Sequence, residues 1–151
     1  MTGLFPDHVS FKLFEKLDQI PPFNPGDDEN EAIKIFKQEI STANGVIICT
    51  PEYAYGVPGT LKNALDWTVS TGEFNEKPIS AISASPLNSG GEKALASLLL
   101  TLTALGTNKN DQSSLSIPNI KIKMSASGMI TDQQTIDQLR LQVNNLLEII
   151  G

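Results

Sequence analysis

The feature that most constrains this chain is a short uninterrupted apolar run, Val46-Ile47-Ile48-Cys49-Thr50. It breaks directly into a loop that opens at Pro51 and closes at Pro58. Such a run, with no polar alternation, marks a strand buried on both faces, and that burial requires helices on both sides of a parallel sheet. A second run over residues 79–84 follows Pro78 and leads into another loop, residues 85–91. Helical spacing surrounds both runs. Ile33, Phe36, Ile40 and Ala43 follow the acidic cluster Asp27, Asp28, Glu29 and Glu31, whose carboxylates suit a helix start. Leu61, Leu65 and Thr68 share one side of residues 59–69, and residues 92–105 form a further helix closed by Gly106. Ile136, Leu139, Val143 and Ile150 place a last helix over residues 132–150. Alternation of Val9, Phe11, Leu13 and Leu17 predicts a half-buried strand over residues 9–17, and residues 117–124 read as another strand. The fold class is therefore α/β with a parallel sheet.

Composition narrows the function. At 151 residues, the chain fits one domain. Hydrophobic residues at 40% and charged residues at 19% exclude a disordered chain. No apolar run is long enough for a membrane span, and the first residues show no export signal, so the expectation is no membrane partner. Cys49 is the only cysteine and lies within the apolar run. A buried, inert thiol and a cytoplasmic setting are expected, with no metal site. The net charge of −6 and the scattered lysines argue against nucleic acid. There is no GxSxG elbow, Walker loop or GxGxxG, no EF-hand spacing, and the sole histidine, His8, stands near the terminus.

In parallel sheets, ligands bind outside the carboxyl ends of the strands, so the loops at 51–58 and 85–91 are the candidate site. Proline and glycine fix a loop whose backbone N–H and C=O groups can approach a ligand closely. Such groups can meet a ligand's donors and acceptors without any charged side chain. Tyr53 and Tyr55 either pack near a ring plane or anchor the loop to the core. Gly90 and Gly91 either admit a ring or make a turn into the next helix. Glu52 has no second carboxylate in its loop, which leaves bracing or an ion pair as its role. Lys62, Asn63 and Asp66 read as braces for their helix and its loop, and Trp67 as core or subunit interface.

The run from Thr50 to Trp67, TPEYAYGVPGTLKNALDW, resembles the PEYxxxxPGxLKNAxDW signature of the NADPH-dependent FMN reductase family, and Ser83 to Gly91 resembles its glycine-containing segment. The resemblance implies a flavodoxin-like three-layer sandwich. It also implies hydride transfer from NAD(P)H to bound FMN, then electron transfer to a quinone, azo compound, metal ion or flavin. It assigns cofactor binding to Pro51, Glu52, Tyr53, Ala54, Tyr55, Gly56, Val57 and Pro58, with Ser85, Asn88, Ser89, Gly90 and Gly91 on the other edge, and no catalytic side chain. Ala54 and Gly56 stand where the family often has Asn and Ser.

The family's first strand, its GSxRxxS phosphate loop and most of its first helix have no counterpart in this sequence. The expectation is a single domain over residues 1–151, truncated at its N-terminus, that holds FMN weakly. Two alternatives stay open: a non-catalytic remnant or interaction protein, and an electron-carrier flavodoxin, which the PGxLKNAxDW segment disfavours. Leucines 95, 98, 99, 100, 102 and 105 make one helix unusually apolar, which points to a homodimer or homotetramer.

Overall fold

Parallel pairing of the two apolar runs organises the chain. The computed structural model describes residues 2–26 and 29–151; Asp27 and Asp28, placed above at a helix start, lie outside the described residues. Strand β1 (Val46–Thr50) pairs with β2 (Ile79–Ala84), Val46 opposite Ile79 and Thr50 opposite Ser83. Strand β3 (Ser114–Ile117) joins the other side of β2, so the order is β1-β2-β3.

Four α-helices among the described residues flank this sheet, and their ends follow from local chemistry. Helix α1 (Glu31–Thr42) starts at Asn30, whose side chain accepts the Ala32 N–H at 2.9 Å. Helix α2 (Gly59–Asp66) follows Pro58, and helix α3 (Glu92–Ala104) ends before Gly106, which supplies the left-handed turn at φ +72°. Helix α4 (Gln133–Ile150) starts at Asp132. The Thr135 hydroxyl and N–H both donate to that carboxylate and hold it below its ordinary range. Ile48, Ile79 and Ala81 pack on one face of the sheet with Phe36, Leu65 and Leu98 from the first three helices. On the other face, Ile82 and Ile117 meet Leu139 of α4. This is the three-layer α/β sandwich expected.

The structure corrects four expectations. Residues 9–16 form no strand, because a strand needs a ladder and β1 pairs only with β2 among the described residues. This segment instead lies against α1: Lys12 pairs with Glu39, and Phe14 packs on Phe36 with ring centroids 5.2 Å apart. The strand read over residues 117–124 ends at Ile117. Pro118 brings no N–H to a ladder, Asn119 turns left-handed at φ +54°, and Ile120–Lys123 becomes a 3-10 helix.

Cys49 is exposed, not buried. It shares the face of Ile47 on β1, yet the strand is only partly covered on that side. Apolar neighbours still push its thiol above the ordinary value. The leucines of α3 mostly turn inward. Leu95, Leu98, Leu102 and Leu105 are buried and Leu99 is partly so, which leaves Leu100, 75% exposed, as the outward one. The breadth of that apolar face therefore serves the core.

Candidate functional site

The loop that leaves β1 is a tight hairpin. Tyr53 and Gly56 exchange both backbone hydrogen bonds, at 3.0 and 2.9 Å. Between them, Ala54 (φ +48°) and Tyr55 (φ +63°) both occupy the left-handed region. That is the geometry of a type I′ turn, which normally selects Asn and Gly. A residue with a Cβ costs about 1–2 kcal/mol there, so the loop stores strain at its tip. Tyr53 and Tyr55 are 65% and 80% exposed. Neither anchors the loop to the core; both rings stand open to a ligand or partner.

The loop that leaves β2 is held from several sides. Ser85 lies buried at its start, and its hydroxyl accepts the Leu87 N–H at 3.1 Å. Ser83 donates to the Gly90 carbonyl at 2.8 Å, and Asn119 to the Asn88 side chain at 3.1 Å. Gly90 (φ +65°) and Gly91 (φ +81°) are buried. A Cβ on Gly90 would meet the Ser116 hydroxyl at 2.2 Å and the Pro118 nitrogen at 3.1 Å; one on Gly91 would meet the Ser83 Cβ at 3.2 Å. Backbone conformation thus favours glycine at both positions, and packing requires it at Gly90. Gly56 differs: a Cβ there meets only the Tyr53 carbonyl, at an ordinary 3.8 Å.

Glu52 joins the two loops. Helix α3 begins at Gly91, which has no side chain to cap it. The Glu52 carboxylate, 41 residues earlier, accepts the Lys93 N–H at 2.9 Å and the Ala94 N–H at 3.0 Å. Hydrogen bonds to a charged group are worth about 1.5–3 kcal/mol each, and the anion also suits the positive end of the helix. Bracing was the expected role of Glu52. Its target, the helix after the second loop, was not foreseen. The one signal in the sequence is Gly91 at a helix start with no capping residue beside it.

The other motif residues act elsewhere. Asn63 accepts the Phe23 N–H at 2.7 Å and donates to the Pro21 carbonyl at 2.9 Å. Trp67, buried, donates from its indole N–H to that same carbonyl at 2.9 Å and meets Phe23 edge-on at 5.0 Å. Lys62 and Asp66 pair along α2. These residues fasten the proline-rich segment at 20–23 onto α2 and do not enter the loop at 51–58.

Backbone donors remain at both loop tips. Among the described residues, the N–H groups of Ala54, Tyr55, Val57, Asn88, Ser89 and Gly91 have no protein acceptor. Such groups need water or a ligand. Free donors on two loops at the carboxyl ends of adjacent strands thus lie beside two exposed phenol rings and a backbone face left open at Gly56. The described residues hold no group of three or more His, Cys, Asp or Glu side chains that could bind a metal, and no helix is long and apolar enough to cross a membrane.

The family model for NADPH-dependent FMN reductase matches residues 2–121. A NADH-dependent flavin reductase subunit 2 of Lactobacillus johnsonii is 27% identical, over 99% of this chain and 85% of that protein. A quinone reductase of Escherichia coli K12 is 30% identical, over 99% of this chain and 84% of that protein. Among solved structures, the flavoenzyme NAD(P)H:(acceptor) oxidoreductase FerB of Paracoccus denitrificans superposes with a TM-score of 0.87 at 27% identity, over 99% of this chain and 84% of that one.

Proposed function

Because the chain belongs to the NADPH-dependent FMN reductase family, we propose that it holds the FMN ring between the loops after β1 and β2 and acts as an NAD(P)H-dependent oxidoreductase. FMN held there would supply the ring chemistry for hydride transfer from NAD(P)H and electron transfer to a small-molecule acceptor such as a quinone, azo compound, metal ion or flavin. The observation that carries the reading is the set of unpaired N–H donors on both loops, fixed in mutual position by Glu52.

The roles of the residues follow from their places. Pro51 and Pro58 bracket the first loop, and its backbone from Tyr53 to Val57 faces the ring edge. Ser85 shapes the second loop through the Leu87 N–H. Asn88, Ser89 and Gly91 offer N–H groups from the opposite side. Tyr53 and Tyr55 flank the ring plane and shield it from water. No side chain is assigned acid or base chemistry, since the ring carries the reaction and the protein orients it.

We extend the reading to a cytoplasmic homodimer or homotetramer. The exposed Leu100 and Val69, on the outer surface near the ends of α3 and α2, support a subunit contact. The test of function is anaerobic mixing of the purified, FMN-loaded chain with NADPH or NADH. Bleaching of the bound flavin band supports the reductase. A chain that binds no flavin and oxidises neither nucleotide fits a non-catalytic interaction protein instead.

A further inference from the structure

We propose that Glu52 is a positioning residue that sets the spacing of the two ring-binding loops by capping helix α3 from the first loop. The proposal rests on the reading that FMN lies between those loops. A helix start needs acceptors for its first N–H groups. The residue normally placed to supply one is Gly91, which has none. Glu52 takes up two of these donors, at 2.9 and 3.0 Å, and so ties the hairpin after β1 to the first turn of α3.

The side chain is held close on its other side as well. A Cβ on Gly91 would lie 3.5 Å from the Glu52 Cβ. The backbone of the second loop therefore passes directly against the stem of this residue. Ser83 fixes the same loop to β2 through the Gly90 carbonyl at 2.8 Å. Ser83 of β2 thus holds the second loop at Gly90, while Glu52, two residues past β1, holds the first turn of α3 just beyond that loop. Loss of the Glu52 contact leaves the Ser83 contact in place and lets the first loop shift against the second. Both helix donors converge on one carboxylate oxygen, Oε2.

The experiment compares the wild-type chain with Glu52→Ala, Glu52→Gln and Glu52→Asp. Amide exchange is measured without flavin, riboflavin affinity by fluorescence titration, and visible circular dichroism at flavin saturation. Glu52→Ala is expected to lose protection at Lys93 and Ala94 while the β2 amides keep theirs. Its riboflavin affinity should fall roughly tenfold or more, the scale of one lost charged hydrogen bond. The dichroic band of the bound ring should change too, which loss of stability alone would not produce. Glu52→Gln keeps an acceptor of the same reach and should restore all three readouts in large part. Glu52→Asp, one methylene shorter, should behave like Glu52→Ala and carries the test should the alanine variant fail to fold. Wild-type riboflavin affinity and an unchanged dichroic band in Glu52→Ala, despite fast exchange at Lys93 and Ala94, would overturn the proposal. So would unchanged exchange at those two amides. Failure of the underlying reading looks different: the wild-type chain then takes up no flavin, and the positioning role falls with it although Glu52 still protects the two amides.

Discussion

The loop after β1 reverses at Ala54 and Tyr55, side-chain-bearing residues held left-handed in open surroundings, whereas the loop after β2 reverses at the left-handed Gly90 and Gly91, with a collision awaiting any Cβ at Gly90 and a tight fit at Gly91. Both loops leave adjacent parallel strands at their carboxyl ends. The first keeps its side chains outside and its own hydrogen bonds inside the hairpin. The second turns its backbone inward, against Ser83, Ser116 and Pro118. The difference separates display from support: sequence changes in the first loop alter the surface it exposes, and changes in the second alter whether the loop stands at all.

Gly90→Ala is the sharpest way to break that contrast and has the largest expected effect. The collision with Ser116 and Pro118 adds to the left-handed backbone. The two costs together come to about 2–4 kcal/mol. For a chain of this size that lowers the melting temperature by roughly 5–15 °C. A melting curve checks it, and a drop within the scatter of replicate scans would show that the second loop does not support the fold.

Gly56→Val comes next and tests the opposite side of the contrast. Only the Tyr53 carbonyl lies near the added atoms' root, so stability should stay within about 0.5 kcal/mol of wild type. Riboflavin affinity should fall about tenfold, equivalent to about 1.4 kcal/mol, because the added branches fill the open backbone face. Parallel melting and titration separate the two terms. A melting temperature that falls along with affinity would place Gly56 among the supporting residues.

Tyr55→Gly and Ala54→Asn have the smallest effects and run the other way. Glycine relieves the left-handed strain at the second turn position and should stabilise the chain by about 1 kcal/mol. Asparagine, which tolerates that conformation, should give a few tenths, or about 0.3 kcal/mol. Denaturant titration measures both. Tyr55→Gly should at the same time weaken flavin binding through loss of the exposed ring, so a gain in stability paired with a loss in affinity is the signature of a display loop.

The sequence made the core of this arrangement readable where the signal was local. β1 and β2 coincide with their apolar runs, and α3 and α4 end and begin at the glycine and aspartate that terminate and cap them. Trp67 is core, as one of its two readings held. What local pattern could not supply was the partner. Residues 9–16 alternate like a strand yet find no ladder, and Cys49 sits in an apolar run yet shares a partly covered face. Topology locates the loops that leave β1 and β2, but the turn type is hidden, because Ala54-Tyr55 lacks the Asn-Gly chemistry that announces it. The reach of Glu52 to α3 spans 41 residues and has no sequence periodicity to reveal it.

The measurement that tests the account most directly is a pair of fluorescence titrations of this chain, one with FMN and one with riboflavin. The proposed ring site consists of backbone donors on two loops, and neither loop, residues 51–58 or 85–91, carries a lysine or arginine. The expected result is saturable binding of both ligands with affinities within about tenfold of each other, a difference of about 1.4 kcal/mol or less. Binding of neither ligand would contradict the ring site. Tight binding of FMN with riboflavin excluded would also contradict it, by placing the affinity at the phosphate and not between the loops.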